Sequence, residues 1–230
     1  CQKQGIKPIL GFEAYMAKHK RTDKRPRIDD RPGTIVLLAE TTEGYRNLLR
    51  LTTLGHLEGF YYKPRIDRDA LRQYGRGVIA LIGDLKGDIG NALAMDEFGK
   101  AEAAVREYVE IMGERNVFLE LRDHPEMDDQ VMRNRDLVKL SKSTGVPVVA
   151  TKDVHYLAPD DAEAHDLLLS IDSGKPVTDE SRPTMLGVDY SFATAEQMEK
   201  AFSETPEAIE NTRKIADRAK VEIEIGKWYF

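Results

Sequence analysis

The chain has 230 residues, 41% hydrophobic and 32% charged, which is enough for a buried core in one large domain or two small ones. Its formal net charge of −6 excludes a basic surface over the whole molecule, so a nucleic-acid partner would have to be met by a local patch or by another part of a larger protein. The single cysteine, Cys1, excludes an internal disulfide and favours the cytoplasm, and no apolar run approaches the roughly 18 residues that span a membrane.

The first residues, "CQKQGIKP", resemble the end of a helix and not a signal peptide, and they lack a starting methionine. We therefore expect the chain to be a piece of a longer protein.

Short apolar runs alternate with helical patterns along most of the chain. The patterns predict strands over 8–15, 34–40, 77–83, 117–123 and 146–153. They predict helices over 42–56, 88–95, 99–112, 128–144 and 160–170. This alternation favours an α/β architecture with a largely parallel sheet, either open or closed into a barrel.

Two segments interrupt the alternation. Residues 18–33 are charged and contain proline, which indicates an exposed, mobile loop, and residues 172–193 read as a long surface connection. A helix is expected to follow Thr205 as N-cap with Pro206 at its first position. The alternating residues 221–225 then predict a final strand with one face in water.

An acid and an imidazole follow the last apolar strand. Asp153 and His155 stand two residues apart, so their side chains share one side if the strand extends that far. Such a pair is a common ligand set for Zn²⁺, Mn²⁺ or Fe. Taken alone, however, the pair is more often a turn-capping Asp beside a loop histidine.

Three other predicted strands also carry an acid or a histidine near their ends. Glu13 lies late in the first strand, Asp84 ends the third and His124 follows the fourth. Singly, these residues read as an edge residue facing water, a turn cap and a solvent-facing histidine. Because ligands gather at the carboxyl ends of parallel strands, the four endings together favour a metal centre.

The remaining histidines give weaker signals. His19 lies in the charged loop, and His56 follows a helix where packing or a helix-end interaction is expected. His165 could support the Asp153 and His155 pair from the next helix, although a structural role is the simpler interpretation.

Several long motifs resemble a known family. They are "GIKPILGFEAY", "EGFYYKPRID", "VPVVATKDVHYLAPDDAEAHDLLL" and "TPEAIENTRKIADRAKVEI", and they look like the PHP (polymerase and histidinol phosphatase) domain of the bacterial DNA polymerase III alpha subunit. The resemblance runs from about residue 5 to the end of the chain. It implies a distorted (β/α)7-type PHP barrel that here lacks its opening β/α units.

The resemblance also implies a set of metal ligands. Matched motif by motif, Glu13, His124, Asp153 and His155 correspond to family ligands that hold divalent metal, with Zn, Mn or Mg as candidates. Family ligands on the opening strands would lie before Cys1, so we expect an incomplete site.

Two positions depart from the family pattern. Thr34 stands where the family has a histidine, and Asp84 stands where metal-competent members have a cysteine. Thr34 is a poor ligand, whereas the Asp84 carboxylate could still bind a hard cation.

The resemblance finally implies a role in DNA replication. Residues 1–171 would form the incomplete barrel core, and 172–230 would lead through helices and a strand toward an absent palm domain. The intact protein would be a DNA-directed DNA polymerase (a nucleotidyltransferase). The PHP domain would have a structural role and residual metal-dependent 3′–5′ exonuclease or phosphoesterase activity, but we expect the isolated chain to be inactive.

Two alternatives and several partners follow. The chain could be a stand-alone PHP-family phosphoesterase, or a docking module for the proofreading exonuclease subunit. Expected partners are the rest of the alpha subunit, that exonuclease subunit, and DNA through the intact polymerase, without a membrane. A barrel without its opening strands has two unpaired edges, so self-association is also expected.

Overall fold

A seven-stranded sheet lies at the centre of the computed structural model, which describes residues 2–223 and 226. The strands are β1 Gly11–Met16, β2 Gly33–Ala39, β3 Phe60–Tyr61, β4 Lys63–Ile66, β5 Val78–Ile82, β6 Val117–Arg122 and β7 Val148–Thr151. The helices are α1 Thr42–Leu57, α2 Arg68–Tyr74, α3 Asp88–Ala94, α4 Phe98–Met112, α5 Asp128–Thr144, α6 Ala162–Ser173, α7 Ala195–Ala201 and α8 Pro206–Arg218. The predicted α/β class is confirmed.

The strand directions bring several strand ends to one rim. The sheet order is β3-β4-β1-β2-β5-β6-β7. Strands β5, β6 and β7 are parallel, as are β1 and β4, whereas β2 runs antiparallel to both of its neighbours. The carboxyl ends of β1, β4, β5, β6 and β7 therefore meet at one rim with the beginning of β2. Among the described residues the sheet is barrel-like but is not closed by hydrogen bonds.

The two faces of the sheet are covered unequally. One face packs against the helices and holds the larger core, to which Leu37, Leu51 and Leu119 contribute fully buried side chains. The other face carries a smaller cluster that includes Leu81 and Phe118. Because alternate residues of a strand face opposite sides, the side chains of Glu120 and Arg122, two and four positions after Phe118, lie on this second face near the rim.

Helix α8 covers the edge of β7. The Asn211 side chain, which is buried, donates a hydrogen bond of 2.8 Å to the backbone oxygen of Val148. Ile215 packs in the cluster with Phe118 and Val149. Among the described residues β7 pairs with β6 alone, so it is an edge strand as expected, but α8 packs along it; self-association stays a prediction.

The charged loop over 18–33 is fastened to the sheet, which differs from the mobile loop that its composition suggested. The fully buried Arg65 donates hydrogen bonds to the backbone oxygens of Arg21, Asp23 and Asp29 at 2.7–2.9 Å. The loop is mostly exposed, but an arginine from β4 holds its backbone at three points.

Several predicted boundaries shift in the structure. Strand β7 ends at Thr151, so the pair formed by Asp153 and His155 lies in the following loop and not in the strand. Helix α8 begins after Thr205 as predicted, but the Thr205 side chain makes no capping hydrogen bond.

The predicted final strand over 221–225 lies partly outside the described residues. Residues 221–223 form no strand, and Lys220 makes an isolated parallel bridge with Thr41. In the part of the chain that the structure describes, no helix combines the length and the apolar character that a membrane crossing requires.

Candidate site at the carboxyl rim of the sheet

The loops after β6 and β7 carry most of the polar residues of the rim. His124 follows β6, and the Asp153 and His155 pair follows β7. The neighbouring β5 is followed by Asp84, whose carboxylate faces the beginning of β2. The parallel arrangement of β5, β6 and β7 accounts for this grouping, since their ends point the same way.

Asp153 and His155 are neighbours in space. The His155 Nε2 atom lies 3.5 Å from Asp153 Oδ1, and both side chains are about one-third exposed. The Asp153 backbone has a φ of 54°, in the left-handed region that side chains other than those of Gly, Asn and Asp seldom adopt. This backbone turn, and not strand alternation, brings the two side chains together.

His124 is buried next to this pair. It is 3% exposed, and neither ring nitrogen has a hydrogen-bond partner among the described residues. Burial lowers the pKa of His124, and the negative charge of Asp153 opposes this effect only in part. The imidazole is therefore held in its neutral form, which is the form that can accept a proton or bind a cation.

The ring of Tyr190 lies beside the rings of both histidines. The sequence reasoning did not identify this residue. Its ring centroid lies 4.6 Å from that of His124 and 5.4 Å from that of His155. The backbone oxygen of Tyr190 accepts a hydrogen bond of 2.9 Å from the His155 N–H. Its N–H donates to the Tyr156 hydroxyl at 3.1 Å. The predicted surface connection thus returns to the rim and contributes an aromatic wall.

Arg122 is the second residue that the sequence reasoning missed. Its guanidinium donates two hydrogen bonds to Glu120 Oε2, from Nε at 3.2 Å and from Nη2 at 3.0 Å. Burial lowers the pKa of Arg122, but the charge of Glu120 and those of Asp153 and Asp84 more than compensate and raise it. An arginine therefore lies among the acids of the rim as a permanent cation.

The two positions that depart from the family pattern touch each other. The Thr34 backbone N–H donates a hydrogen bond of 3.0 Å to Asp84 Oδ2. The other oxygen, Asp84 Oδ1, lies 3.9 Å from Arg122 Nη1. Asp84 is thus both a cap on the start of β2 and a partner of the arginine.

Glu13 lies apart from the other three predicted ligands. It is exposed in the middle of β1 and pairs with Val36 of β2. Burial raises the pKa of Glu120, the nearby Arg122 lowers it, and the charge of Glu13 adds to the increase. Glu13 therefore faces the same side of the sheet as Glu120, whereas His124, Asp153 and His155 lie in the loops that follow β6 and β7.

The described residues do not fit a complete metal centre. Nowhere in 2–223 do three His, Cys, Asp or Glu side chains come together in an arrangement that could hold an ion. Within the described part of the chain, the unpartnered imidazole of His124 suits a ligand, as does the buried, unpartnered His165 Nε2, whose ring centroid lies 5.2 Å from that of His155. Against it, Arg122 already supplies a positive charge to the acids. The ligand roles of Glu13, His124, Asp153 and His155 stay a prediction.

Comparison with known proteins gives consistent matches. The family model described as "PHP domain" matches residues 1–124. The DNA polymerase III subunit alpha of Borreliella burgdorferi is 38% identical over 219 residues, which cover 95% of this chain and 19% of that protein. The subunit of the same name from Thermus aquaticus is 37% identical over 96% of this chain and 18% of its own length. The chain thus spans about a fifth of the length of these curated relatives.

Proposed function

The chain belongs to the PHP domain family, and we propose that it serves as the PHP region of the alpha subunit of a bacterial replicative DNA polymerase, acting in the cytoplasm. The observation that carries this proposal is the extent of the similarity. The family model matches residues 1–124, but the similarity to DNA polymerase III alpha subunits covers 95% or more of the chain. A PHP enzyme of another kind would not be expected to share the second half as well.

We infer that the role of this region is structural. The polymerase reaction, a nucleotidyl transfer, would belong to other parts of the alpha subunit. The rim described above has no arrangement of three acidic or imidazole donors among residues 2–223. A metal-activated water and a clamped phosphate both need such an arrangement, so the chain by itself would not hydrolyse phosphodiesters.

A nuclease assay tests this inference. The purified chain is incubated with single-stranded DNA in the presence of Mn²⁺ or Zn²⁺, and degradation is followed on a gel. We expect no cleavage above a buffer control. Turnover by the wild-type chain that is lost in Asp153→Asn would instead assign residual exonuclease or phosphoesterase activity to this rim.

A chimeric polymerase tests the replication role. The corresponding region of the Borreliella burgdorferi alpha subunit is replaced by this chain, and primer extension is measured beside the unchanged subunit and a subunit without the region. We expect the chimera to extend primers and the deletion to lose activity. A chimera that folds with a cooperative melting transition but does not extend primers would contradict the proposal.

The exposed face of α6 favours contact with the rest of the alpha subunit. Leu167, Leu168 and Ile171 are 53%, 62% and 76% exposed on this helix. Apolar residues grouped in this way indicate a covered surface in the working protein. Leu168→Asp in the chimera should lower its melting temperature, whereas the same change in the separate chain should not.

Docking of the proofreading exonuclease subunit stays a prediction from the family resemblance. A pull-down of that subunit with the purified chain tests it, with the α6 variant Leu168→Asp as a surface control. Retention of the exonuclease subunit by the chain alone would assign a binding role to this region.

A further inference from the structure

We propose that Arg122 is the resident cation of the rim. Its guanidinium neutralises the carboxylates of Glu120 and Asp84 in the place of a divalent metal ion, so the domain assembles this rim without metal. The inference goes beyond the proposed function, because it concerns what holds the rim of this chain together.

The first support is the position of the guanidinium. The Arg122 side chain is 15% exposed and the Glu120 side chain 7%, so the pair is largely withdrawn from water. Nε and Nη2 bind one oxygen of Glu120, while Nη1 faces Asp84 at 3.9 Å. The guanidinium therefore bridges acids that follow or belong to two neighbouring strands, as a bound cation would.

The second support is that a neutral donor holds the carboxylate oxygen that faces away from Arg122 in each acid. The hydroxyl of Thr151 donates a hydrogen bond of 2.9 Å to Glu120 Oε1, the oxygen that Arg122 leaves free. The backbone N–H of Thr34 does the same for Asp84 Oδ2 at 3.0 Å. Glu120 thus has one charged and one neutral hydrogen-bond donor, and Asp84 has one neutral donor and an ion pair with Arg122. Such pairing is the condition under which buried charges are tolerated.

The third support is the fixed backbone of Arg122. Asn134 of α5 accepts a hydrogen bond of 3.2 Å from the Arg122 N–H and donates one of 2.8 Å to the Arg122 oxygen. Gln130 in turn donates to the Asn134 side-chain oxygen at 2.9 Å. Because α5 holds the end of β6 at both backbone groups, the guanidinium is placed before any ligand arrives.

The other nearby cation is used elsewhere. Lys152 lies 3.3 Å from Asp123 and 3.4 Å from Asp189, on the side of the loop that leads to Tyr190. It therefore does not serve Glu120 or Asp84. A divalent ion that entered between these acids would meet the like charge of Arg122 at close range in a partly dry environment, where repulsion is weakly screened.

Thermal unfolding with and without divalent metal tests the inference. The wild-type chain is melted after treatment with EDTA and again with Mn²⁺ or Zn²⁺, and its metal content is measured by elemental analysis. We expect no bound metal and an unchanged midpoint. Arg122→Gln should lower the midpoint by about 10 °C, because it leaves buried carboxylates without a cation. Added Mn²⁺ should then recover part of that loss.

Three variants make the result specific. Arg213→Gln removes an exposed arginine that pairs with Asp217 and should leave the midpoint unchanged. Arg122→Lys keeps the charge, so its unfolding midpoint should lie between those of wild type and Arg122→Gln and should not change when metal is added. The double variant Arg122→Gln, Glu120→Gln should be more stable than Arg122→Gln, since the carboxylate that needs the cation is gone.

A fall in the wild-type midpoint on EDTA treatment would overturn the inference, as would an Arg122→Gln midpoint equal to that of wild type. If Arg122→Gln does not fold, the lysine variant decides. A folded, metal-insensitive Arg122→Lys supports the charge role, and an unfolded or metal-requiring one contradicts it. These readouts use the chain alone, so they fail or succeed independently of primer extension by the chimera.

Discussion

Asp166 is a buried carboxylate on a helix whose leucines are exposed. Arg182 donates hydrogen bonds to both of its oxygens, at 2.8 and 2.5 Å, and the Thr184 hydroxyl donates at 2.6 Å. These hydrogen bonds, first of all those from Arg182, lower the pKa of Asp166 to about 2. One side chain of α6 thus fixes the middle of the connection that later reaches Tyr190.

Asp166→Asn should therefore destabilise the protein in a pH-dependent way. Because the folded-state pKa lies below the unfolded one, the carboxylate stabilises the fold above about pH 4, and the effect disappears as pH falls through about 2. Urea unfolding of wild type and variant should differ at pH 7 and converge near pH 2. Asp217→Asn, an exposed position, should follow wild type throughout. A difference that persists at pH 2 would contradict the prediction.

At the residue scale, the sequence alone predicts which side chains lie close together when their residues are near each other in the chain. Asp153 and His155 are neighbours in the chain, so their proximity needs only one turn. Tyr190 and Arg122 had no such signal. Tyr190 reaches the rim through a connection whose path depends on the ion pair of Asp166, and Arg122 looks like an ordinary strand-end residue until its partner Glu120 is seen to be buried.

Helix α1 shows how closely one element can approach another. A Cβ atom built on Gly44, in the first turn of α1, would lie 1.7 Å from the backbone oxygen of Gly77. The glycine therefore lets the start of α1 rest directly on the backbone that precedes β5. This contact belongs to two elements and is invisible in the helical pattern alone.

Replacement of Gly44 by alanine should cost about 3 kcal/mol in unfolding free energy, because the added methyl group must push backbone away. Gly99 offers a matched control in the first turn of α4, where a Cβ would meet nothing within 4 Å. Gly99→Ala should be neutral or stabilise by up to about 1 kcal/mol through helix propensity. Equal effects of the two changes in urea unfolding would contradict this account.

At the element scale, the five strands predicted within residues 8–153 were found with shifted ends, and the direction of β2 was not foreseen. The apolar run that forms Gly33–Ala39 reads the same in a parallel or an antiparallel strand. Its direction depends on the length and anchoring of the loop over 18–33, which Arg65 fixes from a distant strand. Periodicity reports which residues are buried, but it carries no information about such long-range hydrogen bonds.

At the scale of the whole molecule, α8 lies along β7 and keeps this strand from acting as an open edge. Asn211→Ala would remove the buried hydrogen bond to Val148 and cost about 2 kcal/mol, since an acceptor is left unsatisfied. The exposed edge should also increase light scattering at high protein concentration. Thr212→Ala, whose hydroxyl bonds only within α8, is the control. A variant as stable and as dispersed as wild type would show that α8 does not protect this edge.

The position of Tyr190 makes the rim observable by nuclear magnetic resonance without any label. Its ring lies within 5.4 Å of two of the five imidazoles, counted between ring centroids. The ring current of Tyr190 would shift the signals of the carbon-bound ring protons of His124 and His155. These signals would then be separated from those of His19 and His56. In a spectrum of the whole chain, the shifted signals of these two imidazoles would report any movement of the connection that carries Tyr190.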